Sequence, residues 1–253
     1  MTDTPVVLTI LLPVRNETMN LRVMLRILNA ALVVPHEIIV IFDDEADISI
    51  AVVEDVRAAY PEVRPLLNRA GRGVAFAIRA GVADARGERV LIFAADEVGP
   101  ALVIDDMLAL MDEGVEFVSA TRYAHGGRRL GGSVIGHILS RTANWLLNAS
   151  SGTGLSDSTT GIKMFRRADF PRLSSDAKSV GWAIAFEMAI NAQLAGLKLG
   201  EVPIISIDRL FGGQSTFRLV PWVMGYFGFF ATAITKLPRS ARPVVKVRIP
   251  TGM

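Results

Sequence analysis

Apolar positions along this chain follow two alternating rhythms. Continuous apolar runs at 6–12, 37–42, 63–67, 88–93 and 115–121 have the length of strands covered on both faces. Between them, apolar residues spaced three and four apart predict helices at 17–31, 48–60, 74–85 and 101–111. The first of these places Leu21, Met24, Leu25 and Leu28 on one face, with Asn16 positioned to cap it. Strand and helix alternate through the first 120 residues, which predicts an α/β, Rossmann-like domain with a mostly parallel sheet and right-handed crossovers.

Beyond Thr121 the rhythm changes. Residues 133–147 read as a helix carrying Ile135, Ile138, Leu139, Trp145, Leu146 and Leu147, interrupted by His137 and Arg141. That pattern suits a core helix or an amphipathic helix at a membrane interface. A turn at 157–161 enters a short strand, 183–195 is a further helix bearing Glu187, and 199–207 is a final strand. Residues 219–235 contain no charge but include Pro221, two Gly and two Thr. Seventeen residues stand at the lower limit of a span, since crossing the hydrocarbon takes roughly 20. An interfacial helix, a packed helix and a span all remain open for this stretch.

The chemistry gathers where the apolar runs stop. Residues 37–42 end at Asp43 and Asp44, and 88–93 lead through Ala94 and Ala95 to Asp96 and Glu97. In open α/β sheets ligands bind beyond the carboxyl ends of the strands, and a carboxylate there can hold a divalent metal against a nucleotide diphosphate. A solvated turn is the alternative reading. Gly71 and Gly73 open the helix at 74, which presents amides and the positive end of a helix dipole to phosphate. A tight turn also needs Gly for backbone reasons alone.

Composition narrows the class. At 253 residues, 51% hydrophobic and 21% charged, the chain holds one large domain or a domain with an appendage, and is not disordered. The absence of Cys removes disulfides, thiolate metal sites and cysteine nucleophiles from consideration. The N-terminus lacks the basic start and longer apolar core of a secretory signal, so a cytoplasmic catalytic body is expected. Net charge is +2, but Lys236, Arg239, Arg242, Lys246 and Arg248 close the chain with no acid among them, leaving the preceding residues at −3. Basicity therefore belongs to the tail, which argues against a nucleic-acid surface and for a local anionic partner such as a membrane. Mean hydropathy of +0.38 is high for a soluble enzyme.

In order, these features resemble the family 2 glycosyltransferases, and among them the polyprenyl-phosphate sugar synthases, over residues 6–218. Pro13-Val-Arg-Asn-Glu17 is similar to that family's Pro-x-x-Asn-Glu turn, Asn68 to Gly81 to its glycine-bearing segment, and Asp96 to the last carboxylate of its Asp-x-Asp motif. Residues 157–163 resemble the Asp-x-Thr-x-Gly-x-Arg/Lys segment beside the sugar, and Glu187 and the Glu201-Val-Pro203 run match positions flanking the site. The resemblance implies a GT-A type nucleotide-diphospho-sugar transferase fold over 1–218, followed by a membrane-associated helix and basic tail over 219–253. It implies a nucleotide-sugar site at Pro13, Arg15, Glu17 and Asp43, with Glu17 on the ribose and Asp43 on the base. Gly71, Gly73, Ala95 and Asp96 would line the same site, and Arg209 with Ser215 would cover the diphosphate from a late loop.

A lipid monophosphate is expected on Arg122, Ser140 and Arg141, with Asp157 among the catalytic residues and Mg²⁺ or Mn²⁺ on Asp96. The activity implied is inverting transfer of a sugar to a polyprenyl phosphate at the cytoplasmic face of a membrane, the protein being peripheral or held by one short C-terminal anchor. A soluble acceptor, with Glu187 or Asp157 as base, and a nucleotide-binding pseudoenzyme are the alternatives. The chain departs from the motif at Ala94, where the first Asp is expected, and at Val98, where a Gln is expected. Losing a carboxylate should weaken metal binding. Adjacent side chains on an extended segment point apart, so Glu97 is not expected to replace it.

Overall fold

The computed structural model describes residues 5–131, 134–174, 181–208 and 219–250. Its strands are β1 (Leu8–Pro13), β2 (His36–Phe42), β3 (Val63–Leu67), β4 (Arg89–Ile92), β5 (Phe117–Thr121), β6 (Arg128–Gly131), β7 (Lys163–Arg166), β8 (Leu199–Pro203), β9 (Ile205–Asp208) and β10 (Val245–Val247). Its helices are α1 (Met19–Ala31), α2 (Ser49–Val56), α3 (Val74–Asp84), α4 (Ile104–Asp112), α5 (Val134–Ser150), α6 (Phe170–Leu173), α7 (Ala183–Leu194) and α8 (Leu219–Lys236).

Eight strands form one sheet in the order β10-β8-β5-β7-β4-β1-β2-β3, and β6 pairs β9 in a separate ribbon. All neighbours in the large sheet run parallel except β7, which is antiparallel to both β4 and β5. The physical reason lies in the route of the chain. After α5 it arrives at the carboxyl edge of the sheet, so the strand entering the slot between β4 and β5 must run downwards. Completely buried Leu, Ile and Val fill β1, β2 and β4, with helices over both faces.

Two expectations from periodicity change. Asn16 does not cap α1: it adopts left-handed backbone at φ 54°, and Thr18 stands at the helix start without a side-chain cap. The single strand expected at 199–207 is two, because Ile204 separates β8 in the large sheet from β9 in the ribbon. The basic tail joins the body. β10 pairs in register with β8, Lys246 contacts Glu113, and Arg248 bridges Asp106 at 2.8 Å and Glu113 at 3.1 Å. Among the described residues no helix is long and apolar enough to cross a membrane. Instead Tyr226 and Ala233 of α8 are buried with Phe186 and Ile190 of α7.

Candidate active site

Asp157 is the centre of the best-defined polar cluster. Its carboxylate is fully buried and takes a forked pair from Arg122, Nε to Oδ2 at 2.7 Å and Nη2 to Oδ1 at 3.0 Å. Oδ1 also accepts from Asn144 Nδ2 at 3.0 Å and from the hydroxyl and amide of Thr159 at 2.9 and 3.2 Å. Burial alone would raise the carboxyl's pKa, but the charge and hydrogen bonds of Arg122 outweigh it and hold the group at about 2. The sign for Arg122 is the reverse: burial opposes its charge, Asp157 favours it, and the net shift is upward. With so many donors the carboxylate stays ionised near neutral pH, its oxygens engaged by Arg122, Asn144 and Thr159.

Arg122 Nη2 further donates to Ser140 Oγ at 3.2 Å and Thr159 Oγ1 at 3.0 Å, and Tyr123 donates its hydroxyl to Ser140 at 3.0 Å. Ser140, expected at the lipid phosphate, is thus buried within this network. Arg141, the next residue on α5, is exposed, with its guanidinium 6.0 Å from the Tyr123 ring.

Beneath Asp157 lies a row the sequence could not reveal. Register pairs Ser119 of β5 with Lys163 of β7 on one side and Glu201 of β8 on the other. Lys163 donates to Ser119 Oγ at 2.6 Å and to the Asp157 carbonyl at 3.3 Å. Glu201 Oε1 accepts from the Ser156 amide at 2.7 Å, its hydroxyl at 3.0 Å and the Asp157 amide at 3.3 Å. Both ends of the Asp157 residue are therefore pinned by buried charged side chains. Burial pushes the Lys163 ammonium down to about 7 and the Glu201 carboxyl up to about 7. Lys163 sits behind the loop and is completely buried.

The other half of the carboxyl edge is built from backbone. Asp47 accepts from the Asn16 amide at 3.0 and 3.1 Å, and Ser49 accepts from the Glu17 amide at 2.8 Å, so the start of α2 holds the turn after Pro13. Arg15 is exposed and Glu17 half-buried. Asp43 accepts from Asn68 Nδ2 at 2.8 Å and the Gly73 amide at 2.6 Å, which fastens the end of β2 to the glycine turn. Gly73 has φ 107°, and a Cβ on Gly71 would come within 2.9 Å of the Phe76 ring, so both glycines have structural reasons.

Asp96 is half-buried beyond β4, directly after buried Ala95. Glu97 adds its negative charge to the field on Arg122. Among the described residues no three His, Asp or Glu side chains gather to hold a metal. Mg²⁺ is commonly bound by one or two carboxylates plus substrate phosphates, and a single carboxylate such as Asp96 is compatible with a cation that arrives with a diphosphate. Arg209 and Ser215 lie outside the described residues.

The Glycosyl transferase family 2 model matches residues 9–173. The chain belongs to that family. A dolichol-phosphate mannosyltransferase of Mycosarcoma maydis is 25% identical over 213 residues, covering 77% of this chain and 68% of its own length. A polyprenol monophosphomannose synthase of Mycolicibacterium smegmatis is 27% identical over 215 residues, covering 80% and 78%. Glucosyl-3-phosphoglycerate synthase of Mycobacterium tuberculosis, solved with phosphoglyceric acid, superposes with a TM-score of 0.66 at 15% identity over 90% of this chain and 80% of its own. The same enzyme solved with Mn²⁺, uridine diphosphate and glucosyl-3-phosphoglycerate gives 0.58 at 14% identity, over 91% and 78%. These likenesses establish a GT-A-like fold and a glycosyltransferase.

Among residues the motifs passed over, Asn144 is the most embedded in the network. Its spacing one helical turn after Ser140 was the one available signal.

Proposed function

We propose that this glycosyltransferase moves a sugar from a nucleotide diphosphate sugar to a polyprenyl phosphate, with inversion. One observation carries the reading: a buried Arg122–Asp157 fork lies under α5, whose outer face is apolar and exposed. Ile135 is 65% exposed, Ile138 56% and Trp145 66%, and on α8 Phe227 is 72% exposed. Exposed Arg141, Lys236 and Arg239 lie on or beside these helices, as a surface meeting anionic lipid would require. The names of the two relatives support the same acceptor class.

The acceptor phosphate already carries roughly −1.5 to −2 near neutral pH, so its oxygen attacks without a general base. It forms the new bond to the anomeric carbon while the bond to the diphosphate breaks on the opposite face, and the nucleoside diphosphate leaves with the electron pair. Arg122, held by Asp157, and exposed Arg141 are the cations that orient the nucleophile. Pro13, Arg15, Glu17, Asp43, Gly71, Gly73, Ala95 and Asp96 form the donor side, with Arg209 and Ser215 assigned to it by motif. A divalent cation bound with the diphosphate would supply charge neutralisation at the leaving group, held by Asp96. The soluble-acceptor route through Asp157 lacks a base, because that carboxylate is saturated with donors.

Purified protein in detergent, incubated with GDP- and UDP-linked sugars and a polyprenyl phosphate, should release nucleoside diphosphate and a lipid-linked sugar; no lipid product with any common donor would refute the proposal. Trp145→Asp should reduce flotation with anionic vesicles. Truncation before α8 is unsuitable as a membrane test, since it also removes β10 from the sheet.

A further inference from the structure

Asn144 is 3% exposed on the inner face of α5. Its Nδ2 donates to Asp157 Oδ1 at 3.0 Å, Thr159 Oγ1 at 2.9 Å and the Ser140 carbonyl at 3.0 Å, while its Oδ1 accepts from the Ser158 amide at 2.9 Å. The first two acceptors are the atoms that Arg122 Nη2 also uses, each at 3.0 Å. Arg122 and Asn144 therefore hold the same two oxygens. A side-chain amide meets the whole demand, supplying two N–H donors towards Asp157, Thr159 and Ser140 and a carbonyl oxygen for the Ser158 N–H. A carboxylate here would repel Asp157, and an apolar side chain would leave the buried Ser158 N–H without its acceptor. With Nε and Nη2 of Arg122 engaged, Nη1 donates to no described residue.

We propose that Asn144 is a positioning residue for the acceptor phosphate: it fixes the Asp157 carboxylate and Thr159 hydroxyl so that the Arg122 guanidinium keeps one nitrogen presented to the incoming anion. The proposal rests on reading Arg122 as the acceptor-phosphate contact. It also ties residues 157–159 to α5, the helix whose other face carries Ile138 and Trp145, so the element meeting lipid and the element setting Arg122 are one.

Two variants test this, Asn144→Ala and Asn144→Asp. The second keeps the acceptor for Ser158 but replaces the donor with an anion facing Asp157. Buried beside that charge, the new carboxyl titrates above its usual range and regains a donating O–H once protonated. Arg122 and, behind the loop, Lys163 are the nearby cations.

With citronellyl phosphate as acceptor at about pH 8, kcat should fall on the order of 100-fold in both variants, with KM for the nucleotide sugar unchanged because the donor contacts sit on other elements. Towards pH 6 the ratio of Asn144→Asp to wild type should rise about tenfold, while Asn144→Ala stays flat. Independently of any acceptor, the Arg122 Nε–H resonance in ¹⁵N-arginine-labelled protein should move in Asn144→Asp at pH 8 and return at pH 6. A pH profile parallel to wild type, or an unmoved Arg122 resonance, overturns the proposal, as does a loss of nucleotide binding equal to the loss of kcat. If wild type transfers nothing to lipid phosphate, the acceptor reading fails; a pH-reversible Arg122 signal in Asn144→Asp would still support the positioning role.

Discussion

The Asp157 cluster and the edge running from Asp43 to Gly73 lie at the same end of one sheet, yet they are built on opposite plans. At Asp157 the charges are buried and hydrogen-bonded in advance: Arg122, Asn144, Thr159, Lys163 and Glu201 constrain its side chain or its peptide. At the other edge the groups are half-buried, and Asp43 closes a glycine turn with one hydrogen bond to each carboxylate oxygen. Asp96 has no described carboxylate cluster around it. The difference teaches where organisation is stored. One side carries its electrostatics pre-aligned, and on the proposed reading the other is completed by the nucleotide sugar, so folding stability and function should separate between them.

Removing a charge from each side gives the sharpest test. Asp157→Ala strands a buried guanidinium and should cost about 3–5 kcal/mol in urea unfolding, whereas Asp96→Ala should stay within about 1 kcal/mol while abolishing most turnover. Equal stability losses would erase the distinction.

Next in size is a pH effect confined to the Asp157 side. Glu201 has a folded value of about 7 against 4.5 unfolded, so its contribution is complete below about 4.5 and is lost as pH rises through about 7. Lys163 adds little slope there, because its extra cost develops between 10.5 and about 7 and is constant below. Glu201→Gln should therefore remove on the order of 3 kcal/mol of the stability change between pH 4.5 and 7.5. Matching pH curves for variant and wild type would show that Glu201 is not the titrating group.

The smallest effect belongs to the donor side. Gly73→Ala, at φ 107°, should strain the turn by about 1–2 kcal/mol and weaken nucleotide binding about tenfold, read by fluorescence titration. An unchanged affinity would detach the glycine turn from the nucleotide.

Much of the fold was legible because strand and helix periods are local properties. The runs at 63–67 and 88–93 became β3 and β4 with little change, and Gly73 stands where α3 begins. The failures have physical causes. Asn16 reads as a cap by residue type, but Asp47, more than thirty residues on, takes its amide and turns it into a left-handed corner. The 157–163 segment reads as one motif, but its last residue opens a strand inserted antiparallel between β4 and β5, a placement that local pattern does not encode and that carries the Lys163 ammonium beneath the Asp157 peptide. Asn144 carried no motif signal, since its importance comes from atoms on a loop thirteen to fifteen residues away.

By itself the sequence determined the α/β class, the acidic strand ends and the family, since repeated patterning and the order of motifs survive without coordinates. Tertiary structure alone decided that the basic tail closes the sheet through β10, that Arg122 is paired with Asp157, and that Ser119, Lys163 and Glu201 form one row. Each of these depends on register or on a long-range partner. Burial then determines whether a charged side chain is free to meet a substrate or is committed to holding the site.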